Sequence, residues 1–570
     1  MESGRISGWM QSVRRFRRYF PLVAAVCAVL PFLPSLGYGF LYEWDDGGFV
    51  TENAHIALNW PNLVHAFTTT LQSVYTPLTS VWLMADHALF GDWAGGYHLV
   101  NLLLYGGCGA LLFLIMRRLR IPASAALLLA VLWAWNPGKC ESVAWIAERK
   151  GLASSFFAFA SFWCFMRDCR RERAGWAAPV LMLIAFLFKP WVLPLPGVMC
   201  LYAWSRRPGE YRKLLKLLWP VMAAGCAGAL LVMGMTFRDL SVSGGGGAPD
   251  FRYVLRYFGA AVWPFSLNPI HPRPVWGSML PELAWGAILA AGLWCAAGRS
   301  RERLRVSLLF TLAFLGTALP VLTSGGFTNA DYCDRYNFLL SAVAWCWIGV
   351  AGGRYFRRFP RVSAWAAGIL LAGCLLTDLV YLETFSDTRL LFGRAAAADR
   401  PAPKALEGLA LVAVNRSDPG LLHQAGALFL AQQPFQPESR RKTYSDMGTL
   451  LTRLARTMAG EAAAGRELAA YLAADVPRDY YTPEAFLPPA YSLAAGRLIQ
   501  DGNAAEAAAL LELQLKRKAG DAYQLHFSSG LAGFLTKDFE RARREWRAAL
   551  ELRPGDARLR ENLKRAEAMP

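Results

Sequence analysis

Apolar residues in this chain gather into runs at 20–41, 97–116, 121–136, 151–166, 175–188, 191–204, 217–236, 279–297, 306–323, 337–352 and 363–382, separated by short loops, many rich in arginine. A straight helix needs about 20 apolar residues to cross a bilayer core. The pattern therefore restricts the longer, N-terminal part of the chain to helices packed in a membrane, although several runs are shorter than that and their boundaries are soft. Composition agrees: 55% of the 570 residues are hydrophobic and the mean hydropathy is +0.25, too apolar for an ordinary soluble protein. The expected fold class is a polytopic α-helical membrane protein with about eleven transmembrane helices.

Charge sets the expected orientation. Arg14, Arg15, Arg17 and Arg18 precede the first run, and alternate loops carry Arg117, Arg118 and Arg120; Arg167, Arg170, Arg171 and Arg173; Arg206, Arg207, Arg212, Lys213 and Lys216; Arg299, Arg301, Arg303 and Arg305; and Arg354, Arg357, Arg358 and Arg361. With eleven spans all of these fall on one side, which the positive-inside rule makes cytoplasmic. The net charge of +18 is then mainly a topology signal, and no nucleic-acid partner is needed to explain it. The first run is long, holds Pro31 and Pro34 and lacks a small-x-small cleavage site, so it reads as a retained span. The eleven cysteines form no CxxC and no metal-ligand spacing; Cys140 and Cys333 fall in exterior loops, where a disulfide between them is open but supported by nothing else.

Composition changes near residue 383, dividing a transmembrane domain, 1–383, from a soluble α-helical domain, 384–570, that is rich in Ala, Leu and Arg. Gly496 and Gly530 stand 34 residues apart in helix-like runs, and the later one is followed by Phe539, Trp546, Ala549, Leu550 and Pro554. These offsets suit a tetratricopeptide helix pair, with repeats at about 489–556.

Candidate chemistry sits in the predicted exterior loops. The loop 42–96 opens with Tyr42-Glu43-Trp44-Asp45-Asp46-Gly47-Gly48-Phe49, a carboxylate pair where the chain leaves the membrane. Such acids suit proton removal from a hydroxyl nucleophile. Glu148-Arg149-Lys150, Lys189-Pro190 and Asp334-Arg335-Tyr336 place charged groups on the same face, where the cations run against the usual bias and suit the phosphate or pyrophosphate of a lipid. Blander readings exist for each: a cap or solvated turn for the acids, an ion-paired turn for 148–150, and snorkelling for Lys189. His87 and His98 read as structural rather than as metal ligands, and Trp44, Trp82, Trp93, Trp135 and Trp145 as an interfacial belt.

Several motifs together, Trp44-Asp45-Asp46, Thr76-Pro77-Leu78-Thr79, Tyr97-His98-Leu99-Val100-Asn101, Glu141 to Lys150, Lys189-Pro190, Tyr257 to Pro264 and Asp334-Arg335-Tyr336, resemble the transmembrane and tetratricopeptide-repeat (TMTC) family and its bacterial relatives, in order along the membrane part. The resemblance implies a GT-C fold similar to the protein O-mannosyltransferases, in a bacterial inner membrane. It further implies a polyprenyl-phosphate sugar donor and a Ser or Thr hydroxyl of an envelope protein as acceptor, recognised through a C-terminal repeat domain on the periplasmic side. On that analogy Asp45 or Asp46 is the general base of an inverting transfer. Arg149, Lys150, Lys189 and Arg335 hold the leaving phosphate, while Glu148, His98, Asp334 and Tyr336 bind acceptor or support the site. The chain departs from the family pattern at Thr76 and Asn136, where relatives have His, near Lys139, where they have a further His, and at Gly151, where they have Asp. With those ligands missing, the expected site uses no metal and no cofactor. The competing expectation is an inactive membrane anchor that presents a repeat scaffold. A transporter would call for repeated halves or inward-facing intramembrane charges, which the sequence lacks.

Overall fold

The computed structural model describes residues 17–72, 74–207, 209–239, 252–264, 266–271, 276–297, 301–322, 332–436, 438–474 and 483–570. Arg14, Arg15, Arg299 and Pro272 lie outside them. The described residues form helices and no strands, in two compact units, Met1–Ala395 and Ala396–Pro570.

The first unit contains α1 (Phe20–Val29), α2 (Trp60–Thr68), α3 (Pro77–Phe90), α4 (Ala94–Arg118), α5 (Ala123–Ala134), α6 (Cys140–Ala144), α7 (Arg149–Arg171), α8 (Ala177–Phe188), α9 (Leu195–Arg206), α10 (Tyr211–Asp239), α11 (Arg252–Ala260), α12 (Trp276–Ala297), α13 (Arg301–Leu322), α14 (Asn337–Arg358), α15 (Pro360–Leu382) and α16 (Thr388–Ala396). Five stretches, Arg17–Gly37, Ala94–Arg118, Tyr211–Met235, Asp334–Gly353 and Pro360–Phe385, are long and apolar enough to cross a membrane. Four shorter apolar helices, Ala123–Ala134, Ala177–Phe188, Leu280–Cys295 and Leu304–Ala318, coincide with other expected runs. The protein is thus helical and membrane-associated. Proline accounts for some of the shortening: after α1 the chain continues as a 3-10 helix over Leu30–Gly37, because Pro31 and Pro34 supply no backbone donor.

Aromatic packing fixes the middle of this unit. Tyr105 on α4, Trp133 on α5 and Phe338 on α14 meet with centroid distances of 5.1 to 6.0 Å. Their polar atoms are satisfied as buried ones must be: Tyr105 donates to the Ala134 carbonyl at 2.5 Å and the Trp133 indole to Ser341 Oγ at 3.0 Å. None of the eleven cysteines is bridged; Cys140 and Cys333 are both buried, and Cys140 Sγ faces Asp378 at 3.4 Å, so the open disulfide is not formed.

The boundary lies later than composition suggested. Residues past 383 stay with the first unit because Leu391 and Phe392 are buried, Phe392 packs on Trp44 at 5.4 Å, and Thr388 Oγ1 donates to Glu43. In the second unit, α17 (Pro403–Asn415), α18 (Pro419–Gln432), α19 (Glu438–Met458), α20 (Ala464–Ala473), α21 (Pro483–Gln500), α22 (Ala504–Arg517), α23 (Ala522–Leu535), α24 (Phe539–Leu552) and α25 (Ala557–Glu567) each pack on their chain neighbour. Aspartates start four of them, Asp418, Asp521, Asp538 and Asp556 accepting from the backbone three residues on. Gly530 on α23 is required, since a Cβ there would overlap the buried Trp546 of α24; at Gly496, 34 residues earlier, nothing lies within 4 Å, so the two glycines differ in what they pack against.

Candidate functional site

The loop after the first apolar stretch is held by one of its own acids. Asp46 is fully buried, and its two carboxylate oxygens accept N–H groups from Leu41 at 3.0 Å and from Ala147 at 2.7 Å. It therefore clamps the acidic loop to the 3-10 turn Ile146–Glu148 that starts α7. Burial pushes the Asp46 carboxyl up to about 7, against those two hydrogen bonds, which favour the charged form. Asp45, next in the chain, keeps 26% of its side chain exposed and faces Lys150 Nζ at 3.5 Å. The two acids expected to share one role occupy different environments: one is closed, the other open.

Two further side chains brace the turn. Asn101 on α4 donates to the Val143 and Trp145 carbonyls at 3.2 and 3.3 Å, and its oxygen accepts from Arg149 Nε. Arg149 is completely buried; it pairs with Asp86 and donates to the Tyr97 carbonyl at 2.7 Å. A guanidinium so committed is part of the frame, and the structure does not bring Arg149 among the open cations. His98 is likewise buried, edge-on to Tyr38 at 6.4 Å.

Around the turn gather the remaining predicted groups. Glu148 is buried, with Oε1 accepting from Lys189 Nζ at 2.7 Å and Oε2 lying 4.0 Å from Arg335 Nε. Gly151 makes this possible, because a Cβ at that position would overlap Glu148 Oε1. The aspartate of the family pattern does not fit beside Glu148 as placed here. Arg335 rides on the 3-10 turn Asp334–Tyr336 and is gripped by Glu141, which accepts its backbone N–H at 2.8 Å and pairs with its guanidinium. Lys150, Lys189 and Arg335 each retain about a tenth of their side-chain exposure, at 10, 12 and 12%. Aromatic faces hold them in place: Phe49 and Trp145 for Lys150 at 4.2 and 5.1 Å, Trp191 for Lys189 at 4.3 Å, and Tyr336 for Arg335 at 5.0 Å. Burial, offset by Glu148 and reinforced by the nearby Lys150 and Arg335 charges, brings the Lys189 ammonium down to about 8.

Asp334 is turned away from this group. It is buried and binds His271 Nε2 at 2.8 Å and Tyr381 OH at 3.2 Å, while His271 Nδ1 lies 3.3 Å from Arg256, itself paired with Glu282. Sequence reasoning assigned Asp334 a supporting role and placed Glu141 in a motif, but not the partners His271, Arg256 and Glu282 or the grip of Glu141 on Arg335; the signal for those was charge inside or beside apolar runs. At the three places where the resembled family carries histidine, this chain has buried structural residues, and Lys139 at one of them donates to Ser341 Oγ at 2.7 Å. Asn136 donates to the Ala260 and Ala261 carbonyls at 3.0 and 3.2 Å, and Thr76 is buried at the start of α3. Among the described residues no group of three or more His, Cys, Asp or Glu side chains is placed to hold a metal ion.

A partly open carboxylate 3.5 Å from one of three aromatic-backed cations can take a proton from a hydroxyl, and such cations can stabilise an oxyanion. No protein-family model, curated protein or solved structure matches the chain.

Proposed function

We propose that the protein is a membrane glycosyltransferase of GT-C type that moves a sugar from a polyprenyl-phosphate donor to a Ser or Thr hydroxyl. The observation that supports this reading is the gathering of Lys189 and Arg335 about Glu148, two residues before Lys150, with Asp45 against Lys150. Asp45 accepts the hydroxyl proton as the oxygen attacks the anomeric carbon. The carbon–oxygen bond to phosphate breaks on the opposite side, and polyprenyl phosphate leaves as the anion with inversion at carbon. Each lysine ammonium has three donors, so Lys150 and Lys189 can bind phosphate while keeping their carboxylates, and Arg335 offers its planar fork. Asp46, Glu141 and Arg149 position the others. Three cations offset the phosphate charge, so the transfer is proposed to need no divalent metal. The eleven-span topology in a bacterial inner membrane and a tetratricopeptide acceptor-binding role for 396–570 belong to the same reading.

The burial of Asp46, Arg149 and Asp334 in internal pairs favours a second reading, an inactive membrane anchor for a helical scaffold. Glycoproteomic mass spectrometry of envelope proteins from wild-type, deletion and Asp45→Asn cells separates the two. Transfer predicts the same set of hexosylated peptides missing from both mutants; an anchor predicts no difference in modification.

A further inference from the structure

Away from the acid–cation group, α4, α7, α9, α13 and α14 enclose a cavity of about 530 Å³, within the range of roughly 300–1,000 Å³ that sites for small molecules occupy. Its walls are mostly apolar, including Leu112, Phe159, Val198, Leu309 and Ala342. The two ends differ. At one end lie Trp191, Val192 and Pro194, from the 3-10 turn Pro190–Val192 and the residues that follow it before α9; at the other lie Arg118, Arg206 and Arg305, from the last turns of α4 and α9 and the first turns of α13. The 12 residues of α9 run between these ends, a length of roughly 18 Å at about 1.5 Å per residue. That is close to one leaflet of a hydrocarbon core about 30 Å thick.

The basic end has unused capacity. Arg305 stacks on Trp204 at 4.4 Å, and its Nε and Nη2 are shielded from solvent with no hydrogen-bond partner among the described residues. Arg118 stacks on Trp163 at 4.1 Å and spends Nη1 on the Trp163 carbonyl at 2.5 Å. Buried guanidinium donors without acceptors are costly, and a phosphate oxygen is the acceptor that suits them. None of Asp45, Lys150, Lys189 and Arg335 lines the cavity. An occupant with its anionic head at the arginines therefore points its tail, not its head, toward the acid–cation group. From this charge pattern and length we infer that the cavity binds one anionic glycerophospholipid, its phosphate on Arg118 and Arg305 with Arg206 at the mouth, and one acyl chain reaching Trp191. Basic pockets between membrane helices recognise such headgroups by this chemistry. The inference does not depend on the transferase reading. It adds a link to it, because the chain end would press on the indole that backs Lys189.

The test is native mass spectrometry and lipid analysis of the full chain, purified after equilibration in phosphatidylcholine vesicles with or without phosphatidylglycerol. Wild type should retain one phosphatidylglycerol per chain, preferred over phosphatidylcholine by about tenfold or more. The Arg118→Gln/Arg305→Gln double variant should lose that preference. Ala342→Phe, which fills the cavity and leaves the arginines, should lose the bound lipid while its thermal unfolding remains cooperative. Equal retention of the two lipids by wild type, an isoprenoid phosphate in place of the phospholipid, or undiminished retention in the double variant or in Ala342→Phe would overturn the assignment.

Discussion

Adjacent aspartates in this chain end in different chemistry because one turns in and the other out. Asp46 meets two backbone N–H groups, and its carboxyl, pushed up to about 7, holds more protons in the folded state than the ordinary ~3.9 of the unfolded chain would allow. Its contribution to stability therefore falls as pH rises from about 4 to about 7 and is flat above that. Asp46→Asn turns an amide N–H2 toward one of the two backbone donors, so thermal unfolding should show a loss of about 1–3 kcal/mol. Lys189 sets a pH dependence in binding rather than in stability. With its ammonium brought down to about 8, the charge needed to hold phosphate is present below that pH and lost above it. The donor KM should rise with pH through about 8, whereas a lysine at the ordinary ~10.4 would keep it level there. Lys189→Arg should remove the rise, since a guanidinium stays charged; a KM that does not change between about pH 6 and 9 would separate Lys189 from the donor. The charged residues themselves were legible as types on one face. Their division into frame and open groups was not, because Arg149 and Lys150 are neighbours in sequence, and the bonds of Arg149 to Asp86, Asn101 and the Tyr97 carbonyl, all far away in the chain, commit it to the frame.

At the level of elements, apolar runs were readable wherever they continued long enough, as in α4 and α15. They were ambiguous where proline or glycine cut them short. The stretch 191–204 begins as a 3-10 turn, Pro190–Val192, and becomes the 12-residue α9, too short alone for the roughly 20 residues of a straight crossing. The first compact unit runs past the rise in polarity at 383 for a long-range reason: Leu391 and Phe392 are buried, and Phe392 packs on Trp44. In the second unit the 34-residue spacing pointed to Gly530 and Gly496 alike, and the packing distinguishes them. Gly530→Ala should drive a methyl into Trp546 and cost about 1–3 kcal/mol. Gly496→Ala, in open space within a helix, should be neutral or stabilise by up to about 1 kcal/mol. Tryptophan-fluorescence melts of the two variants check the contrast, and equal effects would contradict it.

For the whole molecule, the proposal divides the work between the two units: donor chemistry in Met1–Ala395, acceptor choice in Ala396–Pro570. A chain ending at Ala395 should insert, keep its lipid donor and transfer with little preference among acceptor peptides. Acceptor selectivity equal to that of the full chain would place recognition in the membrane unit instead. In that reading the second unit is exterior, which protease accessibility of the Trp546 region in spheroplasts reads directly: protection there, with cytoplasmic controls also protected, would put this region inside and change the proposed span count by one. The most direct test of the central claim uses the purified full chain in vesicles with a labelled polyprenyl-phosphate sugar and a Ser/Thr peptide, comparing wild type with Asp45→Asn. Wild type should yield an inverted glycosyl peptide and free polyprenyl phosphate, in EDTA as without it, and an Asp45→Asn protein that remains folded and donor-bound should yield neither. Transfer by Asp45→Asn at the wild-type rate would contradict the claim.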